Sequence, residues 1–142
     1  MSQGDIYARV GYLVKQVAQA FRRSSEERLR ELGLSMSQYA VLRALAEAPG
    51  ASAAELARRT FVTRQSLRDV LAGLTAAELA RVASRPTAGR VLPVTLTDAG
   101  RFRLEQAESI VLDVEQRMLD GLPPDQVHHL GALLTRCAGN LD

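Results

Sequence analysis

A single cysteine, Cys137, stands in the 142 residues, so no disulfide can close within the chain. That absence favours a reducing compartment. Tryptophan is missing and aromatic residues make up only 4% of the chain, so its core must be aliphatic. With 46% hydrophobic residues there is enough of that material for one compact domain, or two small lobes around a shared core. No apolar run approaches the ~18–20 residues that cross a bilayer, which excludes a helical membrane span. The opening Met1-Ser2-Gln3-Gly4-Asp5 is polar and lacks the basic and apolar regions of a secretion signal. These features predict a cytoplasmic protein, one that is nucleoid-associated if it holds DNA. Motifs of catalysis are also missing: no Gly-x-Ser-x-Gly, no P-loop, no His-Glu-x-x-His and no Gly-x-Gly-x-x-Gly. The expectation is a non-enzyme without a cofactor.

Lysine is nearly absent, since seventeen of the eighteen basic residues are Arg. Arg presents a planar fork that suits phosphate and guanine edges, although high Arg with high Ala is equally what genome base composition produces. The charge is unevenly spread. Net charge is +2 over residues 1–49, +5 over 50–103 and −5 over 104–142. A polyanion would be drawn to the middle and repelled by the tail.

Residues 5–32 read as one long helix, with Ile6, Val10, Leu13 and Val17 in 4-3-4 spacing and Gly33 placed to cap its end. A second helix spans 37–48, capped by Ser37 and stopped by Pro49-Gly50. Ser52 opens a short third helix, where Ser52-Ala53-Ala54-Glu55 has the form of a capping box. Thr60-Phe61-Val62 makes a short turn, and Thr63 caps a fourth helix over 64–78. Leu67, Val70, Leu71 and Leu74 fall on one face of that helix, and Arg64, Gln65, Arg68 and Asp69 on the other. Short helices joined by tight turns, ending in an exposed polar-basic helix, make a helix-turn-helix.

After Leu79 the period shifts toward 2. Val82-Ala83 begins one strand, residues 91–96 form another, and 85–90 make the hairpin loop between them. Pro93 cannot donate to a ladder, so the second strand is expected at an edge or with a bulge. A hairpin directly after a reading helix is a wing. Thr97 caps a fifth helix over 98–120, and Pro123-Pro124 opens a last one. Leu104, Ala107, Val111, Val114 and Met118 repeat at 3-4-3-4, as do Val127, Leu130, Leu134, Cys137 and Leu141. Three long apolar stripes exceed what so small a middle can cover, which predicts that the ends pack on each other and on a second copy.

Arg64, Gln65 and Arg68 are the candidate base readers. They sit on the first turns of the fourth helix, the end that enters a major groove. Arg can bridge guanine O6 and N7, and Gln can pair with adenine. Thr63 and Ser66 are candidate phosphate contacts, as are Ser37 and Ser52 at helix starts; capping alone accounts for the serines and threonine at the starts equally well. His128 and His129 are adjacent on a helix and so face apart, which argues against a shared metal. Cys137 falls in an apolar stripe and reads as a buried structural thiol.

Leu34-Ser35-Met36-Ser37-Gln38-Tyr39-Ala40-Val41-Leu42 resembles the start of the second helix in the MarR family of transcription regulators. Ser52-Ala53-Ala54-Glu55-Leu56-Ala57 with Val62-Thr63-Arg64-Gln65-Ser66-Leu67 resembles that family's reading head. Arg90, Val94, Leu96, Thr97 and Gly100 fall on its wing pattern, in which Asp-x-Arg at the tip precedes Val-x-Leu-Thr. The resemblance implies that Arg85 and Arg90 touch phosphate or the minor groove. Ala88 stands where the family has a bracing aspartate, so either Arg90 acts without that brace or Arg85 takes part instead. The resemblance also implies an effector pocket between the dimerising helices and the DNA-binding lobe, to which Tyr12, Gln16 and Tyr39 are candidates.

The expected fold is therefore mainly α with a small two- or three-stranded antiparallel wing. Residues 35–103 form a winged helix-turn-helix DNA-binding lobe, and 1–34 with 104–142 form a helical dimerisation region. The expected function is that of a homodimeric regulator, a repressor, on pseudo-palindromic double-stranded DNA operators, with a small-molecule effector and no membrane partner. The rival is a helical dimeric interaction or small-molecule-binding module with weakened DNA binding.

Overall fold

The computed structural model describes Asp5, residues 8–85 and residues 92–142. Among these residues six α-helices and one hairpin follow in order: α1 (Val10–Leu29), α2 (Met36–Glu47), α3 (Ala53–Thr60), α4 (Arg64–Ala76), β1 (Ala80–Val82), β2 (Val94–Leu96), α5 (Asp98–Met118) and α6 (Pro124–Gly139).

The helix expected over 5–32 ends its α-helical run at Leu29 and tightens into a 3₁₀ turn over Arg30–Leu32. Gly33 then takes a left-handed conformation (φ 71°), and Leu34 N–H donates to the Leu29 carbonyl at 3.1 Å. Those bonds satisfy carbonyls that the helix end would otherwise leave bare. Leu29 and Leu34 are both buried beside the turn.

Ser37 does not cap α2. Ser35 does, accepting from Gln38 N–H at 3.1 Å while Gln38 Oε1 accepts from Ser35 N–H at 2.9 Å. The reciprocal pair wins because Ser35 has a glutamine three residues on, and Ser37 is left as the second residue of the helix. Ser52 caps α3 as expected, accepting from Glu55 N–H at 3.1 Å. The Glu55 carboxylate does not reach back to close a box; it pairs with Arg59 Nε at 3.3 Å, one turn along.

α4 stops at Ala76, two residues short of the expected end, because Glu78 turns left-handed (φ 61°) and sends the chain into β1. The strands pair antiparallel with Ala80 opposite Leu96 and Val82 opposite Val94. The first begins two residues before the expected Val82 and ends there, and the second is shorter than the expected 91–96. Pro93 carries no N–H, so regular pairing of the second strand begins at Val94, with Ala83 N–H still reaching the Pro93 carbonyl at 2.9 Å. The outer edge of β2 is also occupied: Gly50 N–H donates to the Val94 carbonyl at 3.1 Å, and Val94 N–H to the Ala51 carbonyl at 3.2 Å. The wing is thus two-stranded, with the segment before α3 sealing the edge that would otherwise stay open.

α2 is the hub, packing against α1, α3, α4, α5 and β2. Leu42, Leu45, Leu56, Leu67 and Leu74 are buried in one aliphatic cluster that continues through Val94 and Leu104 to Val111 on α5. Gly100 lets α5 begin hard against the turn into β1. A Cβ there would lie 2.0 Å from the Leu79 carbonyl oxygen. α6 contrasts with the rest: none of its residues is buried, and its contacts with the other elements are sparse. Cys137, expected inside, is exposed on it. Of the apolar stripe that holds Cys137, Val127 and Leu130 are partly covered by the described residues, while Leu134, Cys137 and Leu141 are exposed.

Candidate nucleic-acid interface

α3 and α4 form the helix-turn-helix on the hub. Leu56 and Ala57 anchor the first helix, and Leu67 and Leu74 the second, with Val70 and Leu71 half-buried at their side. With that face fixed inward, helical geometry turns Arg64, Gln65 and Arg68 outward, and all three are exposed. Thr63 holds the N-terminus of α4, accepting from Ser66 N–H at 3.1 Å and donating its hydroxyl to Ser66 Oγ at 3.0 Å. The two candidate phosphate-binding hydroxyls are therefore bonded to each other, and Thr63 is committed to the cap.

Among the described residues, Arg64 and Arg68 take part in no ion pair. Neither does Arg85, exposed just beyond β1. Arg90 and Ala88 lie outside the described residues. Two further guanidiniums that sequence reasoning passed over share this unpaired, exposed state: Arg58 at the end of α3, and Arg81, opposite Thr95 in the hairpin. Arg81 adjoins the Val82-Ala83 pair expected to begin a strand, so its place on the hairpin was within reach of the sequence. Ser52 is half-buried at its cap, and Ser37 is half-buried in the first turn of α2, with the cap taken by Ser35. The structure thus gathers Thr63, Arg64, Gln65, Ser66 and Arg68 on one end of α4 and sets the remaining candidates on neighbouring elements.

Several arginines elsewhere are engaged. Arg43 on α2 bonds the Tyr39 hydroxyl at 3.2 Å, Glu47 at 3.1 Å and Glu108 of α5 at 3.5 Å. Arg28 of α1 pairs with Asp113 of α5, and Arg103 donates to the Leu32 carbonyl. Tyr39 itself is buried. Burial, with the Glu108 carboxylate adding to it, holds its phenol above the usual range, while the bond from Arg43 pulls the other way. Tyr12 and Gln16 sit on the exposed half of α1. The structure does not bring them into one site with Tyr39. A shallow groove of about 250 Å³ does lie between α1 and α5, lined by Val17, Phe21, Ser24, Val114, Arg117 and Met118. None of the three candidate effector residues lines it.

A buried three-helix anchor, an outward reading helix and a hairpin beside it define a winged helix-turn-helix. Residues 32–91 match the model of the MarR family. The chain is 38% identical over 130 residues to the HTH-type transcriptional repressor Rv2887 of Mycobacterium tuberculosis, covering 91% of this chain and 93% of that protein. The crystal structure of that MarR family protein with DNA aligns with a TM-score of 0.76 and 32% identity, over 92% of this chain and 98% of the other. Its complex with salicylic acid aligns at 0.74 and 35%, over 92% and 96%. This chain belongs to the MarR family of transcription regulators.

Proposed function

We propose that the protein is a homodimeric, sequence-specific repressor that places α4 of each copy in successive major grooves of a pseudo-palindromic operator, about 34–36 Å apart. The observation that carries this is the outer strip of α4. Arg64, Gln65 and Arg68 stand exposed with no ion pair of their own, on a helix whose opposite face is locked in the core. Unpaired, oriented guanidiniums cost little to transfer to a base edge or phosphate. Ser66, Arg58, Arg81, Arg85 and Arg90 supply the flanking phosphate contacts in this reading, with Thr63 and Ser52 acting through the helix starts they cap. Selection of bound sites from random duplexes tests it. Two inverted half-sites one helical turn apart are expected; a single half-site, or no enrichment at all, would overturn it.

The second copy follows from uncovered apolar surface. Val10, Leu13, Val14 and Val17 on α1, Leu112 and Met118 on α5, Leu133 and Leu134 on α6, and Leu141 just beyond it are all 40% or more exposed. In this reading 1–34 with 104–142 dimerise and 35–103 read DNA. In this reading the protein acts in the cytoplasm, where a DNA-binding regulator meets its operator; no helix among the described residues is long and apolar enough to cross a membrane. The chain acts by occupancy and not by turnover.

An effector joins the two halves. The salicylic acid complex of the Mycobacterium tuberculosis relative supports a small aromatic acid as its class. Such a ligand would favour a dimer whose reading helices are misspaced. Distance measurement between spin labels on the paired α4 helices, with and without salicylate, tests this; unchanged separation together with unchanged DNA affinity would sink it.

A further inference from the structure

Phe61 is the most exposed large hydrophobic residue among those described, at 95%, and it is held in a left-handed conformation (φ 58°, ψ 27°). Both features are costly for an aromatic side chain. The left-handed region suits glycine and strains a residue with a Cβ. A phenyl ring in water contributes nothing to folding. Its neighbours fix this pose: Val62 is half-buried against the core on one side, and Thr60 on the other bonds the Leu56 carbonyl through its hydroxyl at 2.7 Å. The ring is therefore aimed away from the protein by a turn that cannot easily swing. That turn stands two residues before the Thr63 cap and three before Arg64, with unpaired Arg58 on its other flank.

We propose that Phe61 is a base-specificity residue, whose ring packs on the C5-methyl of a thymine at the border of the stretch read by Arg64 and Gln65. Thymine is the one base that offers an apolar group in the major groove, and phenylalanine is among the side chains that cover it. The flanking guanidiniums make nucleic acid the fitting occupant for this ring, since a protein partner would have to bury those charges beside it. The inference rests on the reading of α4 as a major-groove helix.

The test uses the full-length protein and a selected operator duplex in which each thymine is replaced in turn by uracil, which removes the methyl alone. Wild type is expected to lose about fourfold in affinity at one symmetry-related pair of positions, per methyl covered. Phe61→Gly relieves the left-handed strain, so the variant keeps its fold, which circular dichroism verifies. It is expected to bind the thymine and uracil duplexes alike while keeping its preference at the guanine and adenine positions. A thymine-over-uracil contrast that survives in Phe61→Gly overturns the proposal. So does an equal loss on both duplexes, which would place the ring on sugar or phosphate. If wild type binds no duplex, the reading of α4 fails and this inference falls with it.

Discussion

Ser25 on α1 is fully buried, and its Oγ finds no hydrogen-bond partner among the described residues. An unsatisfied hydroxyl in an aliphatic surround is a standing loss. Ser25→Ala should therefore raise stability by about 1 kcal/mol in urea unfolding; a drop would mean that the hydroxyl has a partner in solution. Tyr39 is a titrating residue of the same core. Its folded pKa is raised, so the neutral phenol is favoured in the native state. The resulting stability is present below the unfolded value of about 10 and is lost as pH climbs through the raised folded one. Unfolding free energy should then bend down above about pH 10 in wild type, and less in Tyr39→Phe. Identical alkaline limbs would refute it. On the DNA side, Arg68→Ala should cost about 1–3 kcal/mol of binding and relax preference at one base position. Arg85→Ala, by contrast, should weaken all sequences alike and reduce the salt slope by about 1.

Elements are held here by their ends as much as by their faces. α5 starts against the Leu79 carbonyl, where Thr97 Oγ1 accepts from Gly100 N–H at 2.9 Å and donates to the Glu78 carbonyl at 2.6 Å. Gly100→Ala forces a methyl into backbone and should destabilise by at least about 1–3 kcal/mol in thermal or urea unfolding, the usual range for overpacking. Full stability in that variant would show that the close approach relaxes. The elements themselves were largely legible in the sequence, because Leu67, Leu71 and Leu74 mark a helix face by spacing alone and Thr63 and Ser52 sit where caps belong. Boundaries were less so. Ser35 and Ser37 are both capping residues two positions apart, and only the reach of Gln38 to Ser35 N–H decides between them. Pro93 shortened a strand whose hydrophobic pattern runs straight through it. The reading strip followed from pattern, since a helix with one apolar face must present the other. The effector candidates did not, because which residues of α1 and α2 converge is set by how the helices cross. Tyr39, a candidate only through the family resemblance, is buried, with its hydroxyl accepting from Arg43, which also pairs with Glu108.

At the scale of the whole molecule, charge and cover divide the labour. Arg58, Arg64, Arg68, Arg81 and Arg85, exposed and in no ion pair among the described residues, stand on the helix-turn-helix and hairpin, while much of the uncovered apolar surface lies on α1, α5 and α6. Leu134→Asp should convert the protein from dimer to monomer in sedimentation, since a carboxylate would sit in the face proposed to meet the second copy. Leu134 is 47% exposed, so the fold of the single chain should survive. The salt dependence of DNA binding should fall to about half, as one reading head grips half the phosphates. A variant that still sediments as a dimer would move the interface elsewhere.

α6 makes its poor attachment count in the arithmetic of a cell. A regulator that needs its twin to cover a helix is armed only above a threshold of copies, and dilution alone disarms it. Operator occupancy should climb with the square of protein concentration when copies are scarce, so halving that concentration would cost nearly fourfold in occupancy. A titration slope of one across that range would mean that the pair forms at synthesis and never parts.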